Sequence, residues 1–215
     1  MTHCYPSCNS GYYLKRVAVS IMLYKKTKKI ILVLLLIIVG LVVYFSLSTE
    51  VTNILDSYVY DLPFKEGTKQ KVVQGYGGMF SHKNKAALDF GMEEGTPVYA
   101  ARGGVIYSFK DDSKEGGLFR KNEEANFIII KHSDGSFGCY WHLQKNGVVV
   151  KKGIVARGEL IGYSGSTGFA LRPHLHFAVK GQLNYKKDSF VRTKFRTAKG
   201  IQLLQNGETY ERPIK

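Results

Sequence analysis

The sequence predicts a mostly β protein, a single antiparallel β-sheet domain preceded by one transmembrane helix. Three observations carry this expectation. Beyond residue 70, short β-branched or aromatic runs alternate with Gly, Asn and Asp at close intervals, the punctuation of antiparallel strands and tight turns. No long amphipathic helical pattern occurs after residue 50. Residues 30–47, IILVLLLIIVGLVVYFSL, run eighteen positions without a charge, long enough for a spanning helix. A chain of 215 residues with 44% hydrophobic content has room for one domain and a terminal appendage.

Residues 1–29 read as a cytoplasmic tail. The first 21 are rich in Tyr, Ser and Cys, whereas Met22 opens MLYKKTKK, an ordinary basic lead into an apolar segment, so translation is expected to start at Met22. His3, Cys4 and Cys8 lack a fourth donor and a metal-binding spacing. Six cations precede residue 30 and none follows the apolar run immediately. This orientation holds the N-terminus inside and residues 48 onward on the extracytoplasmic side, periplasmic or wall-facing. No small-residue cleavage site follows Leu47, which favours a signal anchor over a cleaved leader.

Residues 48–70 mix polar and aromatic side chains without a period and read as a juxtamembrane linker. The domain is expected over 71–215, with strands at 97–101, 104–109, 126–131, 136–143, 160–165 and 174–180. Asp134-Gly135 marks a hairpin between the third and fourth of these, because Asp-Gly accepts the positive φ of a tight turn; Asn206-Gly207 suggests another. The charged loop at 110–125 reads as a groove wall or a mobile segment. Cys139, in the run FGCYW, is the one thiol beyond the apolar segment, and is expected to be a buried small hydrophobe.

The net charge of +14 invites a nucleic-acid reading, but the six cations of the tail supply much of it. The remainder carries 25 basic against 17 acidic residues. That moderate excess suits an anionic wall or membrane surface, and no nucleic-acid-binding spacing is present.

Among the histidines, His174 and His176 lie two apart in PHLHFAV, so on a strand both imidazoles leave one face with Leu175 on the other. Catalytic zinc takes three protein ligands and keeps an open position. His82 and Asp89, in SHKNKAALDF, are further donors, although taken singly each reads as a solvated residue. His142 ends the hairpin strand in apolar company and needs a partner. His132 sits at the mouth of the Asp-Gly turn, where a polar residue needs no special role.

These motifs together resemble the lysostaphin-type (LytM-like) zinc endopeptidases, which cut bridges and stems of bacterial peptidoglycan. The resemblance runs from about residue 72 to 180. It rests on the His82 and Asp89 pair, GTPVYAA with GGVI, the YWHL block at 140–143, GELIGYSGSTG and PHLHF. It implies a fold related to lipoyl-like hybrid barrels and one zinc ion held by His82, Asp89 and His176. It also implies catalytic roles for His142 and His174, flanking a metal-activated water and the scissile carbonyl, and for Tyr76 as a donor to the oxyanion. The departure is spacing: six residues separate His82 from Asp89, where many relatives have three. The alternative is a catalytically silent LytM-like regulator that binds the wall and steers other hydrolases; the complete ligand set speaks against it. A lipoyl- or biotin-carrier-like barrel would have no use for HLH, and a deacetylase or carboxypeptidase with the same zinc set differs only in its product. Peptidoglycan peptides and, through the helix, a membrane are the partners implied.

Overall fold

The computed structural model describes residues 10–47, 55–119, 121, 124–183 and 189–214, with side chains of the N-terminal helix described over 21–42. The chain divides into two compact units, at residues 1–48 and 49–215. The first contains one α-helix, Ser10–Leu47. Among the described residues no helix is long and apolar enough to cross a membrane. Lys25, Lys26, Lys28 and Lys29 precede the apolar run, and the span expected over 30–47 extends past the described side chains.

Among the described residues, the named elements of the second unit are all strands. Its main path begins at β13 (Thr209–Glu211) and proceeds through β2 (Lys69–Gln74), β3 (Ala87–Gly91), β10 (Leu175–Gln182), β7 (Phe137–Val148), β6 (Asn126–Lys131) and β5 (Gly104–Lys110) to β8 (Ile154–Val155). β4 (Pro97–Tyr99) and β9 (Leu160–Ser164) pair with each other, and β9 also pairs with β7. All six strands expected from sequence are present. Gly135 takes φ 85° at the β6–β7 turn, and the hairpin closes with His132 N–H donating to the Ser136 carbonyl at 2.8 Å.

Three expectations need correction. The supposed linker at 48–70 contains β1 (Leu55–Asp61), and Tyr60, Leu62 and Phe64 are fully buried, so this segment builds the core. β1 pairs in parallel with β11 (Ser189–Thr197), so the sheet is not wholly antiparallel. Gly207 has φ 84°, but β12 (Gly200–Gln202) pairs with β11 while β13 pairs with β2. The Asn206-Gly207 element is a turn between two different strand partners and not a hairpin.

Aromatic side chains fill the core edge to face. Phe177 meets Tyr140 at 5.1 Å and Phe195 at 5.8 Å between ring centroids; such pairs add about 0.5–1.5 kcal/mol each beyond their burial. Leu175, Phe177 and Val179 of β10 point into this core and are buried. The alternate positions His176, Ala178 and Lys180 therefore emerge on the opposite face. That alternation places the candidate site on the outer face of a rigidly packed strand.

Candidate metal centre

β3 and β10 are antiparallel neighbours, and Asp89 stands directly opposite His176. Opposed residues of adjacent strands share a face, so the pairing alone brings carboxylate and imidazole together: Asp89 Oδ1 lies 2.8 Å from His176 Nδ1. His82 arrives from the loop between β2 and β3. Its ring is fully buried, with Nε2 3.1 Å from both Asp89 Oδ1 and His176 Nδ1. The seven-residue step from His82 to Asp89 is thus closed by the loop, and among the described residues these three form the group able to hold a metal ion.

The protons decide what this group wants. His82 Nδ1 lies 3.0 Å from the Gly75 carbonyl, which can only accept, so Nδ1 carries the hydrogen and Nε2 presents a lone pair. A bare nitrogen and a carboxylate oxygen then face one another at 3.1 Å with at most the His176 proton to share among three atoms. A cation resolves that repulsion. Around tetrahedral zinc, ligand atoms at ~2.0–2.1 Å from the metal lie roughly 3.3 Å apart, close to the separations found. Two imidazoles and one carboxylate are a donor set suited to zinc with an open fourth position.

Electrostatics keep the ligands in the binding form. Burial alone would raise the Asp89 carboxyl, but the two imidazoles set against it, His176 first and His82 second, outweigh it and hold the group well below the usual carboxylate range. Burial pushes the His176 imidazole down, so it stays neutral.

His142 reaches the same place by a local irregularity. Strict alternation along β7 would send Trp141 and His142 to opposite faces. Instead the register with β6 slips between Asn126 and Phe127, opposite Leu143 and Trp141, and His142 takes φ 65°. Such a bulge re-aims a side chain, at a backbone cost of about 1–3 kcal/mol. The His142 ring lies 4.6 Å from that of His174 and 5.8 Å from that of His176, centroid to centroid. Its Nδ1–H donates to the Thr167 carbonyl at 2.7 Å, freeing Nε2. Burial, followed by repulsion from His174 and His176, pushes this imidazole down to about 3. His174 Nδ1–H donates to the Arg172 carbonyl at 2.8 Å, and its Nε2 is 3.8 Å from Asp89 Oδ1. Asp89, His142, His174 and His176 line a cleft of about 510 Å³.

The structure does not bring Tyr76 to this group. Its hydroxyl donates to the Thr193 carbonyl at 3.1 Å, and the ring packs against Ala86, Ala87, Ala178 and Phe190; it is not among the cleft-lining residues. His132 is also apart, though it is no idle turn residue. It is buried, donates from Nδ1 to the Gly103 carbonyl at 2.9 Å and meets the Tyr60 ring at 5.8 Å. None of the described residues of the loop at 110–125 lines the cleft, but they clamp a loop that does. Gly117 N–H donates to the Gly168 carbonyl, and Gly168 N–H to the Glu115 carbonyl, at 2.9 and 3.0 Å. Only glycine fits at 116, where a Cβ would stand 1.6 Å from the Ser166 carbonyl oxygen. This contact steadies Thr167, the acceptor for His142. Thr167, Trp141, Phe80 and Phe169 were missed from sequence; GSTG beside the strand was the one available signal for Thr167.

Residues 83–188 match the description "Peptidase family M23"; the match begins one residue after His82 and spans the other four polar site residues. The peptidoglycan DD-endopeptidase ShyA of Vibrio cholerae is 39% identical over 90 residues, covering 41% of this chain and 18% of that protein. The glycyl-glycine endopeptidase ALE-1 of Staphylococcus capitis is 39% identical over 95 residues, covering 44% of this chain and 24% of that protein. This chain thus spans less than a quarter of the length of these curated relatives. The solved catalytic domain of lysostaphin from Staphylococcus simulans aligns at 29% identity with a TM-score of 0.41, over 57% of this chain and 87% of that domain.

Proposed function

Because residues 83–188 belong to peptidase family M23, we propose that this chain is a zinc-dependent endopeptidase that hydrolyses peptide bonds of bacterial peptidoglycan. The observation that carries the proposal is the convergence of His82 Nε2, Asp89 Oδ1 and His176 Nδ1 within about 3 Å of one another, with His142 and His174 beside them. Zinc bound there supplies a Lewis acid that polarises the amide carbonyl and eases loss of a proton from water.

The chain's own groups do the rest. His142 and His174 each fix one ring nitrogen on a backbone carbonyl and leave Nε2 to handle protons. The bare Nε2 of one takes the proton from the attacking water, and the imidazolium so formed yields that same proton, directly or by way of the second ring, to the departing amine, help typically worth about 10²- to 10⁴-fold. Thr167 and Arg172 carbonyls hold the two rings in the tautomer this requires. Tyr76 takes no part, its hydroxyl being engaged by Thr193.

The uncharged run at 30–47 behind a cluster of lysines supports an anchored protein whose hydrolytic domain faces the wall. Over residues 30–42 this helix carries exposed apolar side chains, a surface suited to lipid. Fractionation of tagged protein, with alkaline extraction, tests that arrangement; release by alkali alone would refute it.

Zinc-loaded full-length chain incubated with purified peptidoglycan should release soluble fragments whose masses show an added water across one peptide bond, and His176→Ala should abolish the release. Wall function retained in full by His176→Ala would refute hydrolysis. The relatives' names pose two cleavage specificities, a DD-peptide bond and a glycyl-glycine bond.

A further inference from the structure

The strand register lays one row of side chains across the sheet. Gln74 of β2 is opposite Asp89, Asp89 is opposite His176, His176 is opposite Trp141 of β7, and Trp141 is opposite Phe127 of β6. Directly opposed residues share a face. The row therefore passes from two metal-site residues straight into two aromatic rings, one strand spacing, about 4.8 Å, at each step.

Trp141 and Phe127 are both half-buried and lie against each other with ring centroids 4.9 Å apart and planes tilted by 30°. The Phe127 ring backs Trp141 on the side away from His176, and both pack on the buried cluster of Ile129, Phe137 and Cys139. A backed indole is held in place. Trp141 lines the cleft, so whatever residue flanks the scissile bond above His176 meets this indole at the next step of the row.

The rest of the lining agrees. Phe80 and Phe169 stack at 5.6 Å and 17° and both line the cleft, as does Leu171. Phe80 and Leu171 are 61% and 59% exposed. Exposed apolar side chains gathered in a concave site mark where a ligand buries its own apolar surface. An oligoglycine bridge has no side chain to offer them.

We propose that Trp141, backed by Phe127, is the specificity-determining residue of this site and selects a scissile bond flanked by an aliphatic side chain, an alanyl or diamino-acid residue, over a glycyl-glycine bond. The proposal rests on the hydrolase reading above and adds the substrate class to it. One methyl group covered by the indole favours the alanyl substrate about fourfold, and several methylenes by tenfold or more.

The test uses the full-length chain. With zinc bound, kcat/KM is measured on muropeptides crosslinked through D-alanine and on muropeptides crosslinked through oligoglycine, for wild type, Trp141→Ala and Trp141→Leu. The ratio of the two values cancels any loss of folded protein, and Trp141→Leu, the smaller perturbation, serves if Trp141→Ala does not fold. Wild type should prefer the alanyl substrate by at least fourfold, and the ratio should fall toward one in the variants. A preference for oligoglycine, or a ratio unmoved by the variants, overturns the proposal. Cleavage of neither substrate by wild type overturns the hydrolase reading itself. A second readout needs no turnover. Trp141 is the chain's only tryptophan, so in chelator-treated protein its emission should shift to the blue with the alanyl muropeptide and stay unmoved with oligoglycine. An equal response to both would overturn the assignment.

Discussion

Of the three proposed ligands, His82 is the one whose assignment depends most on the fold, because it enters from a loop and lies just outside the segment matched to the family. Replacing it with alanine removes one of the three atoms that converge on the centre. Zinc sites with a full set of four protein ligands are worth about 10–16 kcal/mol, so one ligand accounts for roughly 3 kcal/mol, or about a hundredfold in affinity. The substitution also leaves the Gly75 carbonyl, now bonded by His82 Nδ1–H at 3.0 Å, without its donor, at a further cost of about 1–3 kcal/mol to the fold. The assay is competition for zinc against a chromogenic chelator, with the folded fraction set by circular dichroism and zinc content counted after dialysis. Affinity about a hundredfold weaker, with secondary structure retained, is the expected result. One equivalent of zinc held at wild-type affinity would show that His82 is no ligand and that its contact with Asp89 serves packing alone.

Further outcomes follow from neighbouring residues. His142→Ala should keep its zinc and lose about 10²- to 10⁴-fold in kcat; loss of metal in that variant would place His142 among the ligands. His132→Ala should leave zinc content unchanged but lower stability by about 2–3 kcal/mol, since it empties a buried site and orphans the Gly103 carbonyl; an unchanged melting temperature would show that burial of this ring contributes nothing. Gly168→Ala should destabilise the loop that holds Thr167, because φ is 74° and a Cβ would meet Ala125 backbone at 2.8 Å; full stability and activity would refute that tightness. The metal-free chain should lose stability on acidification. The native His142 imidazole is pushed down to about 3, while the unfolded one titrates near ~6.5. Between these values the unfolded state binds the extra proton, so stability rises with pH across the window, by up to the order of 5 kcal/mol. The depressed Asp89 carboxyl adds a loss in the same direction below about pH 3.9. Thermal melts from pH 7 to 4 read this directly, and a flat profile in chelator would refute it.

What was legible in the sequence divides along the range of the interactions involved. β6 and β7 announce themselves locally, through β-branched and aromatic runs around Asp134-Gly135, and the structure returns them as a hairpin. β1 was hidden because its burial depends on distant partners. Asp61 makes the segment read as polar, yet it is buried against Arg157 and Arg196 at 3.4 and 3.3 Å, contacts about a hundred residues or more away along the chain. The metal group was legible for a chemical reason: few histidines occur, and two at spacing i, i+2 on a strand must share a face. The same period-2 logic failed at His142. It assigns Trp141 and His142 to opposite faces, whereas the slip against β6 and the positive φ of His142 turn both toward the cleft. Tyr76 failed for the converse reason, since nothing within six residues of His82 reveals that Thr193, 117 positions on, captures its hydroxyl. The bulge in β7 therefore carries more of the site than any single motif: without it the three candidate metal donors would still converge, because the β3–β10 register alone aligns Asp89 and His176, but His142 and the Trp141 platform would face opposite sides of the sheet. On the proposed function metal binding and hydrolysis are separable in this architecture, and a change that removes the bulge while sparing β3 and β10 should abolish the second and leave the first.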